Sequence, residues 1–237
     1  MTETPAIVQK QPQYMLARRI LRDLLLRPIG LTFLVQPRIT GQHFIPDKGP
    51  TLLVMNHIGF IDPVVVLGAV TSRWVVPMSK IENFQIPGIA QLSQLWGAYP
   101  VDRSKMDRTA LQNTIDLLHA GHCILIAPEG TRQPAMLAAK PGFTYVATKT
   151  NAAIVPIGLS GTAAFDTNIK RLKPTPIEIR FGRAFNFKHS GRGRVPRDTM
   201  QQMTTEAMYQ LAKLVDPEQR GVYADMNNAT TQTLNFL

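Results

Sequence analysis

Five short apolar runs, at residues 51–55, 74–78, 123–127, 154–159 and 177–181, recur along the chain and are separated by segments with helical periodicity. This alternation constrains the fold more than any other feature. Runs that short cannot be buried alone, and stacking them edge to edge under intervening helices is the layered α/β solution. Helical segments are expected at 63–70, 86–95, 107–120, 143–150 and 198–215. The third carries Leu111, Ile115 and Leu118 on one face, with Gly121 just past its end as a stop signal. The expected fold class is α/β: a mostly buried mixed or parallel sheet flanked by helices in a single domain. A length of 237 residues with 44% hydrophobic and 18% charged side chains suits one such domain. No internal repeat or low-complexity tract interrupts it.

Residues 14–26 read as an amphipathic helix. Ala17, Ile20, Leu21, Leu24 and Leu25 follow the i, i+3, i+4, i+7, i+8 pattern, with Arg18, Arg19, Arg22 and Asp23 opposite. Pro28 is expected to end or kink it. One reading packs this helix on the core with a solvated arginine face. The other lays it in a membrane surface with the arginines on phosphate head groups. The chain divides into residues 1–36 as an N-terminal amphipathic segment, 37–216 as the main domain and 217–237 as a polar tail expected to fray. No run reaches the about 20 apolar residues of a spanning helix, because residues 52–70 are broken by Asn56, His57 and Asp62. The start of the chain lacks a secretory pattern. The single cysteine, Cys123, lies in an apolar run and reads as a core residue.

Four constellations carry candidate chemistry. Asn56-His57-Ile58-Gly59-Phe60-Ile61-Asp62-Pro63 follows the first apolar run. On a regular helix His57 and Asp62 would point roughly 140° apart, so they meet only if the chain turns, which Gly59 permits. A histidine with a carboxylate partner is a general base. Alternatively, Asp62 before Pro63 is a helix cap and His57 a satisfied core residue. Pro128-Glu129-Gly130-Thr131-Arg132 follows the third run and has the donors to hold an oxyanion or phosphate, or is simply a polar turn. Gly97 to Arg103, with Lys80 upstream, brings a second arginine after a short extended stretch. Val155-Pro156-Ile157 is a buried-strand pattern whose proline belongs at an edge, an end or a bulge. No nucleotide-binding loop, nucleophile elbow or metal-ligand spacing is present in the sequence.

In this order and at these separations the four segments resemble the PlsC-like glycerophospholipid acyltransferase family. The first matches N-H-x4-D through Asn56, His57 and Asp62. The others match a glycine-to-arginine segment, an F-P-E-G-T-R-S segment and a V-P-I strand. Ala127 and Gln133 depart from the third pattern on either side of an intact Glu-Gly-Thr-Arg core. The resemblance covers about residues 14–185. It implies that His57 and Asp62 are catalytic. It also implies that Asn56, Lys80, Gly97, Arg103, Glu129, Gly130, Thr131 and Arg132 bind or shape the site for the acceptor. The implied reaction moves a fatty acyl group from acyl-CoA or acyl carrier protein to a lysophospholipid, most simply 1-acyl-glycerol-3-phosphate. It requires neither metal nor organic cofactor.

A formal charge of +10 calls for an anionic partner. With the acyltransferase resemblance this is an anionic membrane surface, met by the N-terminal arginines and by Lys170, Arg171, Lys173, Arg180 and Arg183. The expected location is peripheral, at the cytoplasmic face of a membrane. The rival readings are the same reaction on a lyso-aminolipid or glycolipid, a catalytically silent membrane protein, and a nucleic-acid binder using Arg192, Arg194 and Arg197. Nucleic acid is not expected, because no recognised binding module accompanies those arginines.

Overall fold

The computed structural model describes residues 3–189 and 193–237, so Arg192 lies outside the described residues. The chain opens with α1 (Ala6–Gln9) and α2 (Met15–Arg19), the latter continuing as a wide π-helix over Ile20–Leu34. Next come β1 (Val35–Thr40), β2 (Thr51–Met55), α3 (Asp62–Ala69), β3 (Val75–Lys80), α4 (Ile89–Trp96) and β4 (Tyr99–Val101). They are followed by α5 (Arg108–His119), β5 (Cys123–Ile126), α6 (Gly142–Thr150), β6 (Ala153–Ser160) and α7 (Phe165–Lys170). β7 (Thr175–Phe181), β8 (Phe185–Phe187), α8 (Arg197–Ala212) and β9 (Leu234–Phe236) complete it.

Among the described residues the nine strands form one mixed sheet with helices on both faces, ordered β1-β7-β6-β2-β5-β3-β4, with β8 pairing β6 and β9 pairing β8. The block β6-β2-β5-β3-β4 is parallel, while β7 runs antiparallel to β6. Side chains alternate across it: Leu52 and Val54 of β2 join a core under α5, α6 and α8, while Leu53 and Met55 join one under α3 and Leu31. Each of these fully buried aliphatic chains contributes about 1.5–3 kcal/mol. Asp107 caps α5 by accepting a hydrogen bond from the Ala110 N–H, and Gly121 adopts a positive φ just beyond its end.

Two strand prolines find their permitted places. Pro37 lies in β1, at the sheet edge. Pro156 sits where β6 changes neighbours, between the Ile154–Phe185 pair with β8 and the Ile157–Phe181 pair with β7.

Two expectations change. Pro28 neither ends nor sharply stops the N-terminal helix; the chain takes an i→i+5 register and runs on to Leu34. Residues five apart then share a face. Leu21, Leu26 and Leu31 form the inward stripe, with Arg22 and Arg27 alongside: Arg22 lies 3.9 Å over the Trp74 ring and Arg27 donates to the Gly68 carbonyl. Arg18 is 1% exposed and donates to the Trp96 carbonyl and the Gln11 side chain. Arg18 and Arg22 thus face the protein, while Arg19 and Arg27 stay exposed; Leu16, Ile20, Leu24, Leu25, Ile29 and Phe33 face outward, Leu24 and Phe33 by more than 65%. The tail beyond Asp216 does not fray either. The buried Glu206 carboxylate accepts from the Thr230 hydroxyl and the Gln232 and Thr233 N–H groups, and β9 pairs with β8. These long-range bonds fix a segment whose local composition is polar. Val35–Thr40, a strand not among those expected from the sequence, pairs with β7, over a hundred positions later. Arg194 and Arg197 lie in the approach to and first turn of α8.

Candidate functional site

The carboxyl ends of parallel strands are where an open α/β sheet places its ligands. Here that edge receives the loop after β2 with His57, the end of β3 with Lys80, the loop after β4 with Arg103 and the loop after β5 with Glu129 to Arg132.

The first motif turns through a bend to start α3, and Asp62 folds back over that turn. Its Oδ2 accepts from the Ile58 N–H at 2.6 Å and the Gly59 N–H at 2.8 Å, and lies 3.0 Å from His57 Nδ1. Asp62 is fully buried and the His57 side chain 11% exposed. With Nδ1 engaged by the carboxylate, the imidazole keeps Nε2 for another partner. Asp62 is thus the first residue of α3 but not its cap: the cap position is Ile61, and the Asp62 carboxylate bonds the upstream turn and His57 instead. Gly59 is needed for a different reason from its flexibility: a Cβ there would approach the Thr162 carbonyl to 3.1 Å.

The other motif residues divide. Arg103 Nη1 donates to the Gly130 carbonyl at 2.9 Å, Lys140 Nζ reaches the Arg103 carbonyl, and the Gln133 N–H donates to the His57 carbonyl at 2.9 Å. The first, second and third motifs are thereby tied into one edge. Thr131 and Arg132 are exposed on it, with the Arg132 guanidinium over the Phe60 ring. Burial lowers the Arg103 pKa from the usual arginine value; Glu82 opposes this and the Arg132 charge adds to it. The two guanidiniums repel each other, and neither has a carboxylate within 4.0 Å among the described residues.

Two expected binding residues have other work. Asn56 is buried, and its amide donates to the Leu159 carbonyl and accepts from the Leu159 N–H. Both polar ends are consumed in extending the β2–β6 ladder beyond Met55, so Asn56 holds the strand end that presents His57. Gly97 terminates α4 at φ +77°, and a Cβ there would lie 2.4 Å from Tyr14 and 2.6 Å from the Arg18 guanidinium. It permits the N-terminal segment to pack against the end of α4. Lys80 lies on the correct edge, but its amine pairs with Glu82 at 2.9 Å in solvent.

Glu129 is 6% exposed; its Oε2 accepts from the Leu137 N–H and its Oε1 has no partner among the described residues. Burial pushes its carboxyl up to about 7, against the Leu137 hydrogen bond. The folded chain thus keeps a proton that the unfolded carboxyl releases near 4.5. The sign follows: this contribution to stability is complete below pH 4.5 and is lost as the pH rises through about 7. Glu129→Gln should flatten that slope, a difference on the order of 2 kcal/mol between acid and neutral pH. Thermal melts of both proteins across this range check it, and parallel pH profiles would contradict it.

Sequence reasoning did not identify Phe60, Gln133, Lys140 or Thr162 as site residues. A recess of about 240 Å³ beside the His57–Asp62 turn is lined by Gly59, Phe60, Arg132, Gln133, Thr162 and Phe165; it borders His57 without including it. Phe60 had a signal, being an exposed aromatic inside the first motif. Thr162 had none, because only sheet packing brings it to Gly59.

The family model described as Acyltransferase matches residues 36–160. The chain is 28% identical over 150 residues to the 1-acyl-sn-glycerol-3-phosphate acyltransferase of Cocos nucifera, covering 60% of this chain and 47% of that one. It is 31% identical over 189 residues to the enzyme of that name from Chlamydomonas reinhardtii, covering 76% and 53%. The chain spans about half the length of these curated relatives. The crystal structure of the 1-acyl-sn-glycerophosphate acyltransferase PlsC from Thermotoga maritima shares the fold, with a TM-score of 0.59, 21% identity and 84% and 86% of the two chains covered. With the matched region running from β1 through the last motif strand and spanning all four motifs, the chain belongs to the acyltransferase family.

Proposed function

We propose that this chain transfers a fatty acyl group from a thioester, acyl-CoA or acyl carrier protein, to the hydroxyl of 1-acyl-glycerol-3-phosphate, giving phosphatidic acid. The observation that carries this reading is the His57 Nδ1–Asp62 Oδ2 contact set on the same edge as two arginines without carboxylate partners. In this mechanism Asp62 fixes the tautomer in which Nε2 accepts the proton of the acceptor hydroxyl. The oxygen attacks the thioester carbonyl, and the imidazolium returns the proton to the leaving thiolate. Such base catalysis contributes ~10²–10⁴-fold. The Ile58 and Gly59 N–H groups are occupied by Asp62, which leaves the third-motif loop as the source of oxyanion donors. Arg103 and Arg132 hold the acceptor phosphate. The reaction so written uses no metal or organic cofactor. The names of the curated relatives support both the reaction class and the acceptor.

The acceptor and product partition into bilayers, so the enzyme works at a membrane surface. Among the described residues no helix is long and apolar enough to cross one. The outward apolar face of Ile20–Leu34 is the anchor, and Lys170, Arg171, Lys173 and Arg183 supply attraction to anionic lipid.

The deciding experiment follows free thiol released from oleoyl-CoA with and without 1-oleoyl-glycerol-3-phosphate on anionic vesicles. Acceptor-dependent release is expected. Release that ignores the acceptor would identify a thioesterase. No release with oleoyl-CoA or with oleoyl carrier protein would overturn the catalytic reading.

A further inference from the structure

The third-motif loop between β5 and α6 carries Glu129 and Arg132, yet among the described residues it contains no regular element from Pro128 to Pro141. Its shape is supplied from elsewhere. The Met136 N–H donates to the Gln219 carbonyl at 2.8 Å, and the Val222 N–H donates back to the Met136 carbonyl at 3.1 Å. The Ala139 N–H donates to the Tyr223 hydroxyl at 3.2 Å. Between these bonds, the Leu137 N–H is the donor that holds Glu129 Oε2. The segment 217–223 is thus a strap across the loop, and every hydrogen bond that joins the two is non-local.

The strap is itself anchored. The Gln219 side chain accepts from Ser160 Oγ at the end of β6, Arg220 Nε donates to the Ala212 carbonyl, and Tyr223 packs edge-on against Tyr209. Gly221 adopts φ +50°, and a Cβ there would fall 2.0 Å from the Met136 carbonyl oxygen. Only glycine allows the two backbones to pair this closely. Tyr223 is buried, and its hydroxyl is spent on a loop amide instead of on solvent.

We propose that Tyr223, with the Gln219–Val222 backbone, positions the acceptor-phosphate loop, so that the C-terminal segment is a working part of the acceptor site. This rests on the reading above that Arg103 and Arg132 hold the phosphate. Tyr223 touches no reacting atom. It acts by fixing residues 136–139, through which Leu137 sets Glu129 and the loop presents Arg132.

Tyr223→Phe removes one hydroxyl and keeps the ring packing. Two readings are taken on the full chain: amide exchange across residues 133–140, and the KM for 1-oleoyl-glycerol-3-phosphate beside that for oleoyl-CoA. Loss of a net 0.5–1.5 kcal/mol hydrogen bond corresponds to about 2- to 10-fold. The expected result is faster exchange in the loop and an acceptor KM raised by that factor. Donor KM and kcat should stay within about twofold. Unchanged exchange overturns the proposal. So does faster exchange with an unmoved acceptor KM, or a loss shared equally by donor KM and kcat, which would indicate general loosening. Arg132→Ala is measured in parallel. If it leaves the acceptor KM unchanged, the phosphate reading falls, while the exchange data still decide whether the strap shapes the loop.

Discussion

His57→Ala is expected to lower acceptor-dependent thiol release by at least ~10²-fold while the protein remains folded. The two halves of this expectation have separate grounds. Activity falls because the imidazole is the base of the proposed mechanism, while Lys80 is paired with Glu82 and the buried Glu129 accepts from its own loop. Folding persists because Asp62 Oδ2 keeps its bonds from the Ile58 and Gly59 N–H groups when the ring is gone. Asp62→Asn is the informative contrast. It removes the charge that favours the imidazolium and puts a donor where two N–H groups need an acceptor, so it should lose both activity and thermal stability. A His57→Ala protein with wild-type turnover would sink the base assignment, and an equal drop in melting temperature for both variants would shift His57 to a structural role.

The second large effect concerns the N-terminal face. Replacing Leu24 and Phe33 together by aspartate should cut binding to anionic vesicles by about 10²-fold or more, as burying two such side chains stabilises by roughly 3–6 kcal/mol in total. Thermal stability should barely change, since both residues point away from the protein. Substitution is the better test here than removing residues 1–36. Leu31 and Val35 belong to the core under α3, and β1 begins at Val35, so truncation would damage the fold and confuse the two effects. Arg18→Ala serves as the opposite control. It should destabilise the chain, because Gln11 and the Trp96 carbonyl lose a buried partner, and should leave vesicle binding of the remaining folded protein intact. Vesicle binding undiminished by the double aspartate variant would remove the anchor.

Much of the fold was legible because it depends on near neighbours. The period of apolar residues marked the central strands and the helices between them, and local chemistry marked the Asp107 cap and the Gly121 stop. The order of the motifs placed three reactive loops after three strands. What such patterns cannot convey is which strands lie side by side, and hence that His57, Arg103 and Arg132 share an edge. β1, β8 and β9 escaped notice because short strands of mixed composition owe their pairing to partners far away in the chain.

The amino-acid sequence by itself determined the class of fold, the order of its elements and the chemical identity of the groups at the sheet edge. The tertiary structure alone decided how those groups are used. Asn56 was drawn into the β2–β6 ladder, and Gly97 into the packing of the N-terminal segment, by neighbours 103 residues away in one case and across α4 in the other. The π register divided the apolar residues of 20–34 between an inward and an outward face, because a change from i+4 to i+5 redistributes the same side chains around the helix. The strap over the third-motif loop exists only because β6 and α8 deliver the C-terminal segment to it, and a hydrogen bond between Ala139 and Tyr223 has no local precursor for a pattern to reveal.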